Sequence, residues 1–247
     1  MDSLDGYHFK NQDNLQKATL NKLGWLFGQS SSGKRIKLTK RSIVYIDGFN
    51  LYYGAMKDSS CKWLNLQTYF ERLRQDDDIQ KIWYFTARVS GAAASRQQPY
   101  LEALSTLPKV KIKYGLFKDK TQKCKVTACN LPASQKKYKV PEEKGTDVNI
   151  ALQMLDDAYQ GLCDRIILVS GDSDLVPAIE LVKKRHPKIK ISVYIPATNP
   201  KRGAATELRN CADNDHTIIP NNLMVQSQFP VKVVISPTRT ITKPSTW

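Results

Sequence analysis

The stretch Arg165-Ile-Ile-Leu-Val-Ser-Gly-Asp-Ser-Asp174 constrains this chain more than any other. Its apolar run, Ile166 to Val169, is too short for a helix and is bounded by Arg165 and Ser170-Gly171. That pattern predicts a strand buried on both faces of a parallel sheet, and so an α/β fold. Gly171 permits a tight turn, Ser173 is placed to cap the helix that follows, and Leu175, Ile179 and Val182 recur at helical spacing. Asp172 and Asp174 therefore stand beyond the carboxyl end of a strand, where open α/β sheets keep their ligands. Two acids in a first turn can also serve only to cap a helix and complement its dipole.

A second strand ends the same way. Ser42-Ile-Val-Tyr-Ile46 is apolar and β-branched, and Asp47-Gly-Phe-Asn50 follows at once. A third acid, Asp147, opens a helix after Lys144-Gly-Thr146, whose stripe is expected at Val148, Ala151, Leu152, Leu155 and Tyr159. Carboxylates gathered in one crevice raise one another's pKa and are tolerable mainly when a divalent cation neutralises them. Oxygen-only ligation by Asp47, Asp147, Asp172 and Asp174, with Asn50 as a neutral partner, points to Mg²⁺ or Mn²⁺ rather than zinc.

The strings Tyr45-Ile-Asp-Gly-Phe-Asn-Leu51, Glu143-Lys-Gly-Thr-Asp-Val-Asn-Ile150 and Leu168-Val-Ser-Gly-Asp-Ser-Asp-Leu175 together resemble the NYN domain, a branch of the PIN-like nuclease superfamily. They occur in the right order, over roughly residues 42 to 220, and three ordered motifs are far more specific than one. The resemblance implies a three-layer PIN-like (Rossmannoid) domain with a mostly parallel central sheet. It also implies that Asp47, Asp147, Asp172 and Asp174 hold the metal beside Asn50, and that the substrate is RNA. Some members of similar size are named 6-hydroxy-3-succinoylpyridine hydroxylases of nicotine breakdown, which implies an alternative NADH-dependent monooxygenase. The residues argue against intrinsic oxidation: no GxGxxG follows a strand, and no histidine pair with a carboxylate suggests a non-haem iron site. A third alternative is a module that binds RNA in the same crevice without cutting it.

The nuclease reading assigns metal-assisted phosphodiester hydrolysis, with the acids as ligands and Asn50 orienting a water or a phosphate oxygen. Ser170 and Thr146 are candidate donors to the scissile phosphate, although each could merely cap its helix. Arg88, just past the strand Ile82 to Thr86, is a candidate phosphate clamp or a surface salt bridge. Lys201 and Arg202, in a loop after a strand, are candidate substrate contacts.

The chain's 38 Lys plus Arg against 23 Asp plus Glu give +15, a surface that favours polyanions. More than half of that excess lies between Lys109 and Lys144, where 11 lysines face only Asp119, Glu142 and Glu143, with Tyr114, Phe117 and Tyr138 interleaved. Lysines plus stacking aromatics suit single-stranded RNA; a solvated, poorly ordered loop is the alternative. Asp76-Asp-Asp78 is expected as a solvated turn at the amino ends of strands. Five cysteines with no secretory signal ahead of them fit a reduced cytoplasm. Cys124 and Cys129 have a spacing that two thiolate ligands could use, but no second pair completes a zinc site. No window approaches the length of a membrane span.

Three segments are expected: a polar leader and linker over 1–41, the domain over 42–220, and an extended tail over 221–247. Within the first, Leu20 to Phe27 could form a short helix. Gly28-Gln-Ser-Ser-Ser-Gly-Lys34 imitates a phosphate-binding loop but fails at Arg35, where Ser or Thr is needed. The tail follows from Pro230, Pro237 and Pro244 among few large apolar residues.

Overall fold

A computed structural model describes residues 39–126, 129–132, 134–197, 206–213 and 217–247. The expectations for the leader over residues 1–38, and for Lys201 and Arg202, lie outside the described residues. Six strands form one parallel sheet: β1 (Lys40–Asp47), β2 (Asp77–Thr86), β3 (Val110–Tyr114), β6 (Arg165–Val169), β7 (Lys190–Ile195) and β8 (Thr217–Ile218). Their order is β3-β2-β1-β6-β7-β8, so the strand order reverses between β1 and β6. The crevice of such a sheet opens there, past the carboxyl ends.

Strand alternation sorts the core into two layers. Val44, Ile46, Ile167 and Val169 face one side, which is covered by α2 (Leu66–Leu73) and α3 (Ala94–Ser105). Ile43, Tyr45, Ile166 and Leu168 face the other, covered by α4 (Thr146–Tyr159) and α5 (Val176–Arg185). With both faces covered, the central strands read as the unbroken apolar runs seen in the sequence. Short helices α1 (Gly48–Leu51), α6 (Thr206–Cys211) and α7 (Asn221–Gln226) complete the described helices, with a π-helical turn at Tyr52–Met56.

Four expectations change. Helix α4 buries Ile150, Met154 and Ala158, while Val148, Leu152 and Tyr159 of the expected stripe are exposed. Two apolar stripes share the helical period, and the packed neighbours choose between them. Residues 221–247 are not an extended tail: α7 is followed by a hairpin of β9 (Lys232–Ser236) and β10 (Arg239–Thr242). Trp247 then packs 5.6 Å from the Tyr100 ring and 6.3 Å from the Trp63 ring, where each large ring buries enough area to hold a short segment. Asp77 is not solvated: its carboxylate meets Arg74 Nε at 3.0 Å and Arg165 Nε at 3.3 Å in a buried ion network at the amino ends of β2 and β6. The lysine-rich stretch is an ordered antiparallel hairpin, β4 (Leu116–Lys123) with β5 (Lys137–Lys144).

Candidate nuclease-like active site

Asp47 ends β1 and caps α1. Its Oδ1 accepts the backbone N–H of Asn50 at 3.0 Å, and its Oδ2 accepts Asn50 Nδ2 at 2.5 Å and Ser170 Oγ at 3.2 Å. Burial pushes the Asp47 carboxyl above its ordinary pKa, and these three donors oppose that shift; Glu143's charge adds to it. From the end of β6, the buried Ser170 hydroxyl also accepts the N–H of Asp172 at 3.1 Å, and Gly171 N donates to Asn50 Oδ1 at 3.3 Å. Asn50 and Ser170 thus lace the ends of β1 and β6 together. Asp172, rather than Ser173, is the cap of the next turn, accepting Asp174 N at 2.9 Å.

Asp147 enters from a third element. Gly145, with φ of 86°, makes the left-handed turn that a side chain would resist, and Thr146 and Asp147 then open α4. The Asp147 pKa is raised to about 6, by burial first and then by the charges of Asp47, Asp172, Glu143 and Asp174. The four expected acids therefore share one electrostatic neighbourhood. Glu143, at the end of β5, is a fifth member that the sequence reading did not assign: it accepts both the N–H (3.2 Å) and the hydroxyl of Thr146. The Gly-Thr that follows it was the available signal, since a left-handed turn folds a strand end back over a helix start.

The expected substrate contacts divide. Ser170 and Thr146 direct their hydroxyls at carboxylates, so they position the acids. Arg88 stacks 4.7 Å over the Tyr114 ring and donates to Gln98 Oε1 at 3.1 Å, with no carboxylate partner among the described residues. The β4–β5 hairpin leads directly into the site, because its second strand ends at Lys144, and Phe117 packs edge-on to Phe49 of the Asp47 loop at 5.7 Å. Lys118, Lys123 and Lys137 on it are exposed and pair with no acid among the described residues, whereas Lys120 pairs with Glu142.

The family model of the NYN domain matches residues 41–220, over the sheet, the hairpin and all five acids. The chain belongs to the NYN domain family. NYN domains are a branch of the PIN-like nucleases, so the crevice is a nuclease-like site. The chain is 30% identical over a 238-residue alignment to the 6-hydroxy-3-succinoylpyridine 3-monooxygenase HspA of Pseudomonas putida, a match spanning 84% of this chain and 75% of that one. A protein of unknown function from Vibrio parahaemolyticus shares the fold of this NYN domain with a TM-score of 0.50 and 18% identity, over 76% of this chain and 98% of that one. Among the described residues, no helix is long and apolar enough to cross a membrane. Cys61, Cys124, Cys129, Cys163 and Cys211 are free thiols.

Proposed function

We propose that this chain is a metal-assisted endoribonuclease acting on single-stranded RNA at the Asp47 crevice. The observation that carries the reading is the gathering of carboxylates: burial first, and then repulsion from Asp47, Asp172, Glu143 and Asp174, raise the Asp147 pKa to about 6. A fold tolerates that repulsion when a cation relieves it.

The donor set suits Mg²⁺ or Mn²⁺. All the oxygens are hard carboxylates; among the described residues no three His, Cys, Asp or Glu side chains are placed to hold an ion by themselves, so waters and phosphate oxygens would have to supply most of the shell. Mg²⁺ keeps several waters and takes one or two carboxylates directly, with phosphate oxygens completing the shell. Asp47, Asp147, Asp172 and Asp174 would hold it, directly or through water. When bound, such an ion lowers the pKa of an attacking water and neutralises charge developing on the phosphoryl group. Asn50 and Ser170 keep Asp47 fixed and oppose the rise in its pKa that burial causes, Thr146 fixes Glu143, and Asp172 is anchored through its own turn. Hydrolysis adds water across a P–O bond to leave a phosphate monoester and an alcohol. The hairpin lysines neutralise the RNA backbone on its way to the site, with the exposed Tyr138 and Tyr114 as stacking surfaces.

A second reading, NADH-dependent hydroxylation of 6-hydroxy-3-succinoylpyridine, draws on the name of the Pseudomonas relative. The two demand different reagents. Incubating the purified chain with labelled single-stranded RNA, in Mn²⁺ or in EDTA, tests the first: cleavage in Mn²⁺ that EDTA abolishes supports it, and RNA left whole in Mn²⁺ contradicts it. Uncut RNA that still binds the crevice would make the chain a binding module.

A further inference from the structure

A cleft of about 250 Å³ lies beside the acid crevice and takes no part in the scheme above. Phe49, Tyr53, Tyr100 and Trp247 supply its aromatic walls. Its depth depends on Gly48, the residue after Asp47: a Cβ there would stand 2.8 Å from Tyr84 Oη and 2.7 Å from the Phe85 carbonyl oxygen. An apolar cavity of roughly 150 Å³ holds benzene, so the volume suits one planar ring with a side arm.

Three polar features say what that ring must carry. Tyr84 and Thr86, which line the cleft at 6% and 2% exposure, have hydroxyls that no hydrogen bond among the described residues takes up. Neither hydroxyl is among the buried polar atoms left without a partner, so both are open to the cleft and can meet a ligand's polar atoms. Burial, and then the charge of Asp47, hold the Tyr84 phenol well above its ordinary pKa, so it stays a donor. Arg96, half-buried at the cleft, has no acid partner among the described residues, and Lys57 stands at the same opening with its Nζ 5.5 Å from the Tyr53 ring centroid. Aromatic walls, hydroxyls at the base and two cations at the opening fit one chemical class.

We infer that this cleft is a binding site for a planar aromatic ring bearing an anionic arm: the ring lies among Phe49, Tyr53, Tyr100 and Trp247, its polar edge meets Tyr84 and Thr86, and its carboxylate or phosphate is received by Arg96 and Lys57. A nucleotide and a small aromatic acid share that chemistry. The site does not rest on the nuclease reading, since it requires neither a metal nor bond cleavage.

Calorimetric titration in EDTA tests it with UMP and 4-hydroxybenzoate, and with uridine and phenol as their uncharged counterparts. At least one of the two anions should bind saturably with one site per chain, at least tenfold more tightly than its counterpart. Arg96→Gln should bring that anion to the level of the counterpart, and Tyr53→Ala, at an exposed wall position, should weaken both severalfold. UMP binding alone assigns the cleft to nucleotides, and 4-hydroxybenzoate binding alone assigns it to small acids. The inference is overturned if neither anion saturates, if the uncharged partner binds equally well, or if Arg96→Gln leaves the affinity unchanged.

Discussion

The Ser170 hydroxyl donates across 3.2 Å to Asp47 Oδ2 and so fastens the carboxyl ends of β6 and β1 where the strand order reverses. Because the same oxygen accepts the Asp172 N–H, one small side chain sets the relation between two acids from different strands.

Ser170→Ala should therefore cost about 1–3 kcal/mol of stability, the range for a buried hydrogen bond whose partners are left unsatisfied. The loss should be larger at pH 7 than at pH 4, since the missing donor matters most to an ionised Asp47. Urea unfolding at the two pH values measures both. Equal losses would mean that Asp47 does not depend on this bond.

Asp147 holds its proton up to about pH 6, against an ordinary value of 3.8. A carboxyl raised on folding contributes stability that is fully present below the unfolded pKa and lost as pH rises through the folded one. Asp147→Asn cannot ionise and should escape that loss. In EDTA its melting temperature should exceed that of wild type by more at pH 7 than at pH 4. A smaller margin at pH 7 would show that folding does not raise the Asp147 pKa.

The central strands and the positions of the acids at their ends are legible in the sequence for a physical reason. Strands buried on both faces must be continuous apolar runs, and the acids stand at the ends of two such runs and at one helix start. The parts that were not readable depend on partners distant in sequence. Asp77 looks like a solvated turn until Arg165, first residue of β6, is brought beside it. Glu143 needed the backbone turn at Gly145. The hairpin strands carry lysines on both faces, so no period of two marks them. The final segment is broken by Pro230, Pro237 and Pro244, yet Phe229, Ile241 and Trp247 each reach the core.

Mn²⁺ should raise the melting temperature, because an ion bound by the folded cluster but not by the unfolded chain stabilises by mass action. Asp172→Asn should abolish most of that rise while leaving the metal-free protein at least as stable, one repelling charge having gone. An undiminished response in the variant would place the ion elsewhere.

The unpaired hairpin lysines give a salt signature. Replacing Lys118, Lys123 and Lys137 with Gln should lower the slope of log affinity for single-stranded RNA against log salt by about 2, at roughly 0.7 per lost phosphate contact. Cleavage of a dinucleotide, too short to reach the hairpin, should survive. An unchanged slope would remove the hairpin from the RNA path.

One paired measurement reaches the central claim, because the two candidate chemistries need different reagents from the same protein: RNA cleavage in Mn²⁺, and oxidation of NADH in the presence of 6-hydroxy-3-succinoylpyridine. The wild-type chain should cut RNA in an EDTA-sensitive reaction and show no substrate-coupled NADH oxidation. The double variant Asp47→Asn, Asp172→Asn, shown to be folded by its circular dichroism, should not cut. Intact RNA in Mn²⁺, together with NADH consumption and formation of the hydroxylated pyridine by the wild-type chain, would contradict the nuclease account and install the monooxygenase in its place.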